Sequence, residues 1–151
     1  MFYLLKLTIN KMAEVKRVYY SSGELQSEVF VINGKKNGEY KEYYQIGQLC
    51  KSIMYKDDKK NGEEKIYHEN GRLYHICSYT NDKINGEYKR YYENGQLYNI
   101  CTYINDMKNG TYKTYHENEQ LKEIYTFIDG KTIGEYLEYN ENGNLIFSRC
   151  F

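Results

Sequence analysis

The chain has 151 residues, enough for one ordinary domain, and its 21 Lys and Arg are balanced by 21 Asp and Glu. That balance removes the basic excess expected of a nucleic-acid binder and the acidic excess of a disordered tail. Twenty Tyr with no Trp and no Pro favour strands, and no stretch approaches the roughly 20 apolar residues of a membrane-spanning helix.

Residues 1–11, "MFYLLKLTINK", resemble a signal peptide only at first sight. The apolar run is short, Lys6 interrupts it, and no small-residue cleavage site follows, so the expected location is cytoplasmic. Met12 offers an alternative start. Met1 and Leu7 fall in register with later Leu and aromatic positions, and residues 1–14 read as an N-terminal half-repeat or capping strand.

From residue 15 to residue 151 the chain repeats every 24 residues, with units at about 15–38, 39–62, 63–86, 87–110, 111–134 and 135–151. Gly38, Gly62, Gly86, Gly110 and Gly134 form one column, and Leu25, Leu49, Leu73, Leu97, Leu121 and Leu145 form another. Gly23, Gly47, Gly71, Gly95 and Gly143 form a third, in which Glu119 takes the one missing place. In a typical unit "GEYKRYY" (86–92) is an outgoing strand, "ENGQ" (93–96) a turn, "LYNICTY" (97–103) a returning strand and "INDMKNG" (104–110) a second turn. Asn-Gly between β-rich runs is a strong hairpin signal. A lone hairpin is marginal in water, so each unit must present its edge to the next. The expected fold is all-β: an elongated single-layer antiparallel sheet, or β-solenoid, of stacked hairpins. The last strand ends at Phe151, where Arg149 is the charge available to discourage further pairing.

A Gly-x-Tyr strand, a Tyr/His-x-Asn-Gly-x-Leu turn and a Tyr followed by Asn/Asp-Asp/Gly-Lys together resemble the MORN repeat, and more closely its variant form, over residues 15–151. That variant also occurs in bacterial proteins described as antitoxin components and in giant-virus proteins. The resemblance implies a twisted single-layer sheet and a role in protein association, sometimes in membrane-lipid contact. The chain departs from the common pattern in lacking Trp and in carrying Glu119 and Ile133 at turn positions.

Stacking sets distances that weigh against chemistry. Equivalent residues of adjacent units lie two strands apart, roughly 9.6 Å. Cys77 and Cys101 share a column but exceed the reach of a disulfide, and Cys50 and Cys150 stand elsewhere, so four free thiols are expected. Without CxxC spacing no zinc site is expected. His68, His75 and His116 assemble no catalytic set, and His at a turn reads as a stand-in for Tyr. The carboxylate ladders Glu69, Glu93, Glu117, Glu141 and Asp58, Asp82, Asp106 do not converge as calcium requires. No catalytic, cofactor-binding or metal residue is therefore assigned, and no cofactor is expected.

What remains is surface. Lys41, Lys65, Lys89 and Lys113 alternate along the strand with Tyr40, Tyr88, Tyr112 and Tyr136, and these eight are the candidate partner contacts. Aromatic groups beside basic ones suit an acidic partner or lipid headgroups, and Tyr is enriched at interfaces. The expected function is a non-enzymatic scaffold mediating protein–protein interaction through a Tyr-rich β surface, with homodimer formation left open. The alternatives are peripheral lipid or small-ligand binding, with lipid contact ranked lower, and antitoxin-like inhibition of a partner protein. No nucleic acid is expected.

Overall fold

The computed structural model describes residues 12–151, so the assignment of residues 1–11 to a capping half-repeat lies outside the described residues. In chain order the strands are β1 (Ala13–Tyr19), β2 (Leu25–Ile32), β3 (Lys35–Tyr43), β4 (Leu49–Lys56), β5 (Lys59–Tyr67), β6 (Leu73–Thr80) and β7 (Lys83–Ile84). They continue as β8 (Gly86–Tyr91), β9 (Leu97–Ile104), β10 (Met107–Lys108), β11 (Gly110–Tyr115), β12 (Leu121–Ile128), β13 (Lys131–Tyr139) and β14 (Leu145–Cys150). These 14 strands make one open antiparallel sheet whose order follows the chain. The two-residue strands β7 and β10 are the first segments of outgoing strands.

The second turn is shorter than the sequence suggested. Thr80 pairs with Lys83 and Ile104 with Met107, so only Asn81-Asp82 and Asn105-Asp106 form the loops. Both residues of each loop have left-handed φ, 50° and 68° in one and 50° and 69° in the other. That is the turn whose twist matches the flanking strands, and Asn and Asp tolerate it. The Asn-Gly pair sits beyond the turn as a bulge in the outgoing strand. Around Gly62 the register passes from Ile53↔Glu64 to Tyr55↔Lys60, so Met54 faces Asn61, Gly62 and Glu63. Gly62 has φ 129°, and a Cβ there would stand 2.7 Å from the Met54 Cβ. The glycine column marks the bulge, not the turn.

The repeats are stitched through their turns. Asp58, Asp82 and Asp106 each accept, on Oδ1, a backbone N–H from the hairpin before, those of Lys36, Lys60 and Ile84, at 2.7–2.8 Å. At the other end Tyr20, Tyr44 and Tyr92 donate their hydroxyls to the carbonyls of Tyr43, Tyr67 and Tyr115 at 2.6–2.7 Å. His116 makes the same bond to Tyr139. The carboxylate ladder at the second turn is thus a row of backbone acceptors.

Glu119 departs from this economy. It holds φ 66° in a column otherwise filled by Gly, and every other described non-glycine residue with positive φ is Asn or Asp. A β-carbon in this conformation costs about 1–2 kcal/mol. Glu119→Gly is therefore expected to stabilise the protein by about 1 kcal/mol, read as a higher midpoint in urea denaturation.

The core lies on one face only. Val29, Ile53, Cys77 and Cys101 come from one column and Val31 and Phe127 from another two residues along, and these six are the buried hydrophobic side chains among the described residues. Alternation along the strand places both columns on the same face.

Candidate functional site

Tyr40 pairs with Ile53 across β3 and β4, and Tyr88 pairs with Cys101 across β8 and β9. Tyr40, Tyr88, Tyr112 and Tyr136 therefore stand on the core-bearing face. Lys41, Lys65, Lys89 and Lys113 are the next residues along each strand and stand on the opposite face. The eight candidate contacts thus form two surfaces, divided by the sheet.

The tyrosine face carries an aromatic run. Tyr112 on β11 meets Tyr125 on β12 with ring centroids 4.9 Å apart, Tyr125 meets Tyr136 on β13 at 5.4 Å, and Tyr136 meets Phe147 on β14 at 5.9 Å. These are tilted or edge-to-face contacts, the favoured geometry for ring quadrupoles. Earlier in the sheet Tyr40 meets Tyr55 at 6.2 Å and Tyr88 meets Tyr103 at 5.6 Å. Burial pushes the hydroxyls of Tyr103 and Tyr125 up to about 12, so they stay neutral donors at ordinary pH.

A second set of lysines serves this face. Lys36 lies over Tyr40 and Tyr55, Lys60 over Tyr79, and Lys108 over Tyr112 and Phe127, with ammonium-to-centroid distances of 4.4–5.3 Å. These three share one column, the Lys of "KNG" before each bulge. They lie in the segment whose sequence predicts the second turn, 104–110 in the typical unit. Their signal was present in that repeated tripeptide.

On the opposite face three of the four candidate lysines are paired. Lys41 pairs with Glu39 at 3.1 Å, Lys65 with Glu63 and Lys89 with Glu87. Thr111 takes the Glu place before Lys113.

One position breaks the tyrosine column. Glu64 stands where four other repeats carry Tyr, and it is buried, 3% exposed. Its Oε1 accepts from Lys51 at 3.1 Å and from Lys60 at 3.2 Å. Its Oε2 contacts Tyr79 Oη at 3.2 Å, His75 Nε2 at 3.3 Å and Cys77 Sγ at 3.8 Å. Burial opposes ionisation, yet the hydrogen bonds from His75 and Lys51 and the charges of Lys51 and Lys60 outweigh it. The carboxyl is held well below its usual range. Burial, and then the Glu64 charge, push the Cys77 thiol up to about 12.

Spacing within columns assigns no metal or catalytic residue and does not bring Glu64, His75 and Cys77 together. These three belong to different columns on the paired strands β5 and β6, where opposite residues are neighbours. They are the one group of three His, Cys, Asp or Glu residues among the described residues whose donor atoms converge. The remaining candidates stay apart. His116 replaces Tyr as a staple, and His68 packs edge-on against Tyr74, its Nε2 buried without a partner. All four cysteines are free thiols.

The repeat family described as MORN repeat variant matches residues 36–57, 60–81, 84–105, 108–129 and 133–151. A comparison with curated protein sequences gives no match. Among solved structures, the chain is similar to a mutant of S. aureus TarM in complex with Fondaparinux, alpha-GlcNAc-glycerol and UDP. The identity is 8% and the TM-score 0.42, over 79% of this chain and 21% of that one. It is also similar to a GtfA/B complex bound to UDP and GlcNAc, at 12% identity and TM-score 0.29, over 80% of this chain and 25% of that one. The chain therefore spans a quarter or less of those proteins, and at such scores neither likeness carries an argument.

Proposed function

This chain belongs to the MORN repeat variant family, and from that premise we propose that it is a non-enzymatic scaffold binding a protein partner through the tyrosine-bearing face of its sheet. The observation that carries this reading is the aromatic run Tyr112, Tyr125, Tyr136 and Phe147, which crosses four consecutive strands on one face. Rings of this kind give large, rigid contact area at little entropic cost. Lys36, Lys108 and Arg149, lying over rings along that face, supply cationic contacts for acidic side chains of the partner. An inhibitor of one partner protein, the antitoxin-like form, is a special case of the same binding.

Lipid contact through Lys41, Lys65, Lys89 and Lys113 finds less support, because the first three are each neutralised by a Glu two residues earlier. Anionic membranes attract unpaired basic clusters.

Affinity capture with the full chain as bait tests the reading. A Tyr112→Ser/Tyr136→Ser double variant is expected to lose the captured protein by at least tenfold, while Lys65→Ala/Lys89→Ala retains it, both variants being checked for β structure by circular dichroism. Retention by the tyrosine variant and loss by the lysine variant would reverse the assignment of faces. Salt-sensitive sedimentation with anionic vesicles would favour the lipid reading instead.

A further inference from the structure

We propose that Glu64, His75 and Cys77 form a binding site for one divalent transition-metal ion of the zinc class. The donor types are a carboxylate, an imidazole and a thiol, the three that zinc takes from proteins. Their spacing about the carboxylate oxygen fits as well. With metal bonds of about 2.0–2.1 Å to oxygen and nitrogen and 2.3 Å to sulfur, tetrahedral geometry requires about 3.3 Å between O and N and 3.6 Å between O and S. Glu64 Oε2 stands 3.3 Å from His75 Nε2 and 3.8 Å from Cys77 Sγ. The three donor atoms all lie within 4.8 Å of one another. Tyr79 Oη lies 3.2 Å from the same oxygen, and a water or this hydroxyl would complete the coordination.

The surroundings hold the ligands in place. Lys51 and Lys60 occupy the other carboxylate oxygen, Oε1, so Glu64 is fixed to offer Oε2 alone, as outer-shell partners do in metal sites. Their positive charge opposes a cation. The proton that leaves Cys77 on binding restores one negative charge, and coordination reverses the penalty that the neighbouring carboxylate places on a bare thiolate. Of the three, Glu64 breaks a consensus, standing where Tyr40, Tyr88, Tyr112 and Tyr136 stand in other repeats, whereas His75 lies in a column that varies freely and Cys77 shares its column with Cys101.

Cobalt(II) titration of the full, reduced chain tests the site. One equivalent is expected to produce a near-ultraviolet thiolate-to-cobalt charge-transfer band with the visible bands of tetrahedral cobalt, and zinc should bleach both. Cys77→Val and His75→Asn introduce residues that other repeats carry in those columns, so both variants are expected to keep the fold, checked by circular dichroism. The first should abolish the charge-transfer band, and the second should weaken apparent affinity more than about tenfold. Cys101→Val should change neither. Absence of the thiolate band in the wild-type chain, its survival in Cys77→Val, or unchanged affinity in His75→Asn would each overturn the proposal.

Discussion

Glu64→Gln is expected to lower stability by about 3 kcal/mol at neutral pH. The carboxylate is almost fully buried and anchors two ammonium groups, Lys51 and Lys60, whose side chains are only 25% and 28% exposed. Gln keeps the size and one acceptor but removes the charge, leaving two partly buried cations with no counter-charge. Residual exposure of the lysines keeps the effect at the low end of that for broken buried pairs. The sign of the pH dependence follows from the depressed carboxyl. A group ionised more readily when folded contributes fully above its unfolded value near 4.5, and the contribution drains as pH falls from there toward the folded value. The gap between wild type and variant should therefore be widest at pH 7 and narrow steadily below about pH 4.5, as read from urea midpoints across that range. A constant gap would mean that packing, not charge, holds the cluster.

Ile53→Ala is expected to cost about 3 kcal/mol. Ile53 is completely buried, 0% exposed, although the sheet is a single layer. Its cross-strand neighbours are Tyr40 on β3 and Glu64 on β5, so truncation opens a void between a half-buried ring and a buried carboxylate. Because each hairpin rests only on its neighbours, weakness in a central unit loosens the coupling between the two halves of the array. Chemical denaturation should show a lower midpoint, and a broader transition would mark loss of cooperativity. Ile53→Val should cost about 1 kcal/mol, since Val29 already occupies the same column.

The repeat was legible in the sequence because every hairpin faces the same neighbour problem and solves it with the same residues. The Leu and Gly columns and the two turns per unit emerge from spacing alone. The position of the second turn did not. Asn-Gly and Asn-Asp both favour left-handed φ, and a bulge and a turn compete for that signal three or four residues apart. The sheet gave the tighter loop to Asn105-Asp106 and the bulge to Gly110. The division of Tyr40 from Lys41 was implicit in strand alternation, yet adjacency in the chain suggested a shared surface. The Glu64 cluster was hidden for a different reason. Column spacing of roughly 9.6 Å describes like residues in successive repeats and says nothing of unlike residues facing each other across one hairpin. Glu64 in a tyrosine column was the visible clue, and its meaning depended on the register that sets Cys77 opposite it and His75 diagonally beside it.

Footprinting of the natively captured complex by mass spectrometry reads directly which face of the sheet meets another protein, here proposed to be the tyrosine-bearing one. Tyr112, Tyr125 and Tyr136 should be protected from oxidative labelling in the complex relative to the free chain, while acetylation of Lys41, Lys65 and Lys89 proceeds unchanged. Protection of those lysines, with the tyrosines labelled as in the free protein, would contradict that proposal.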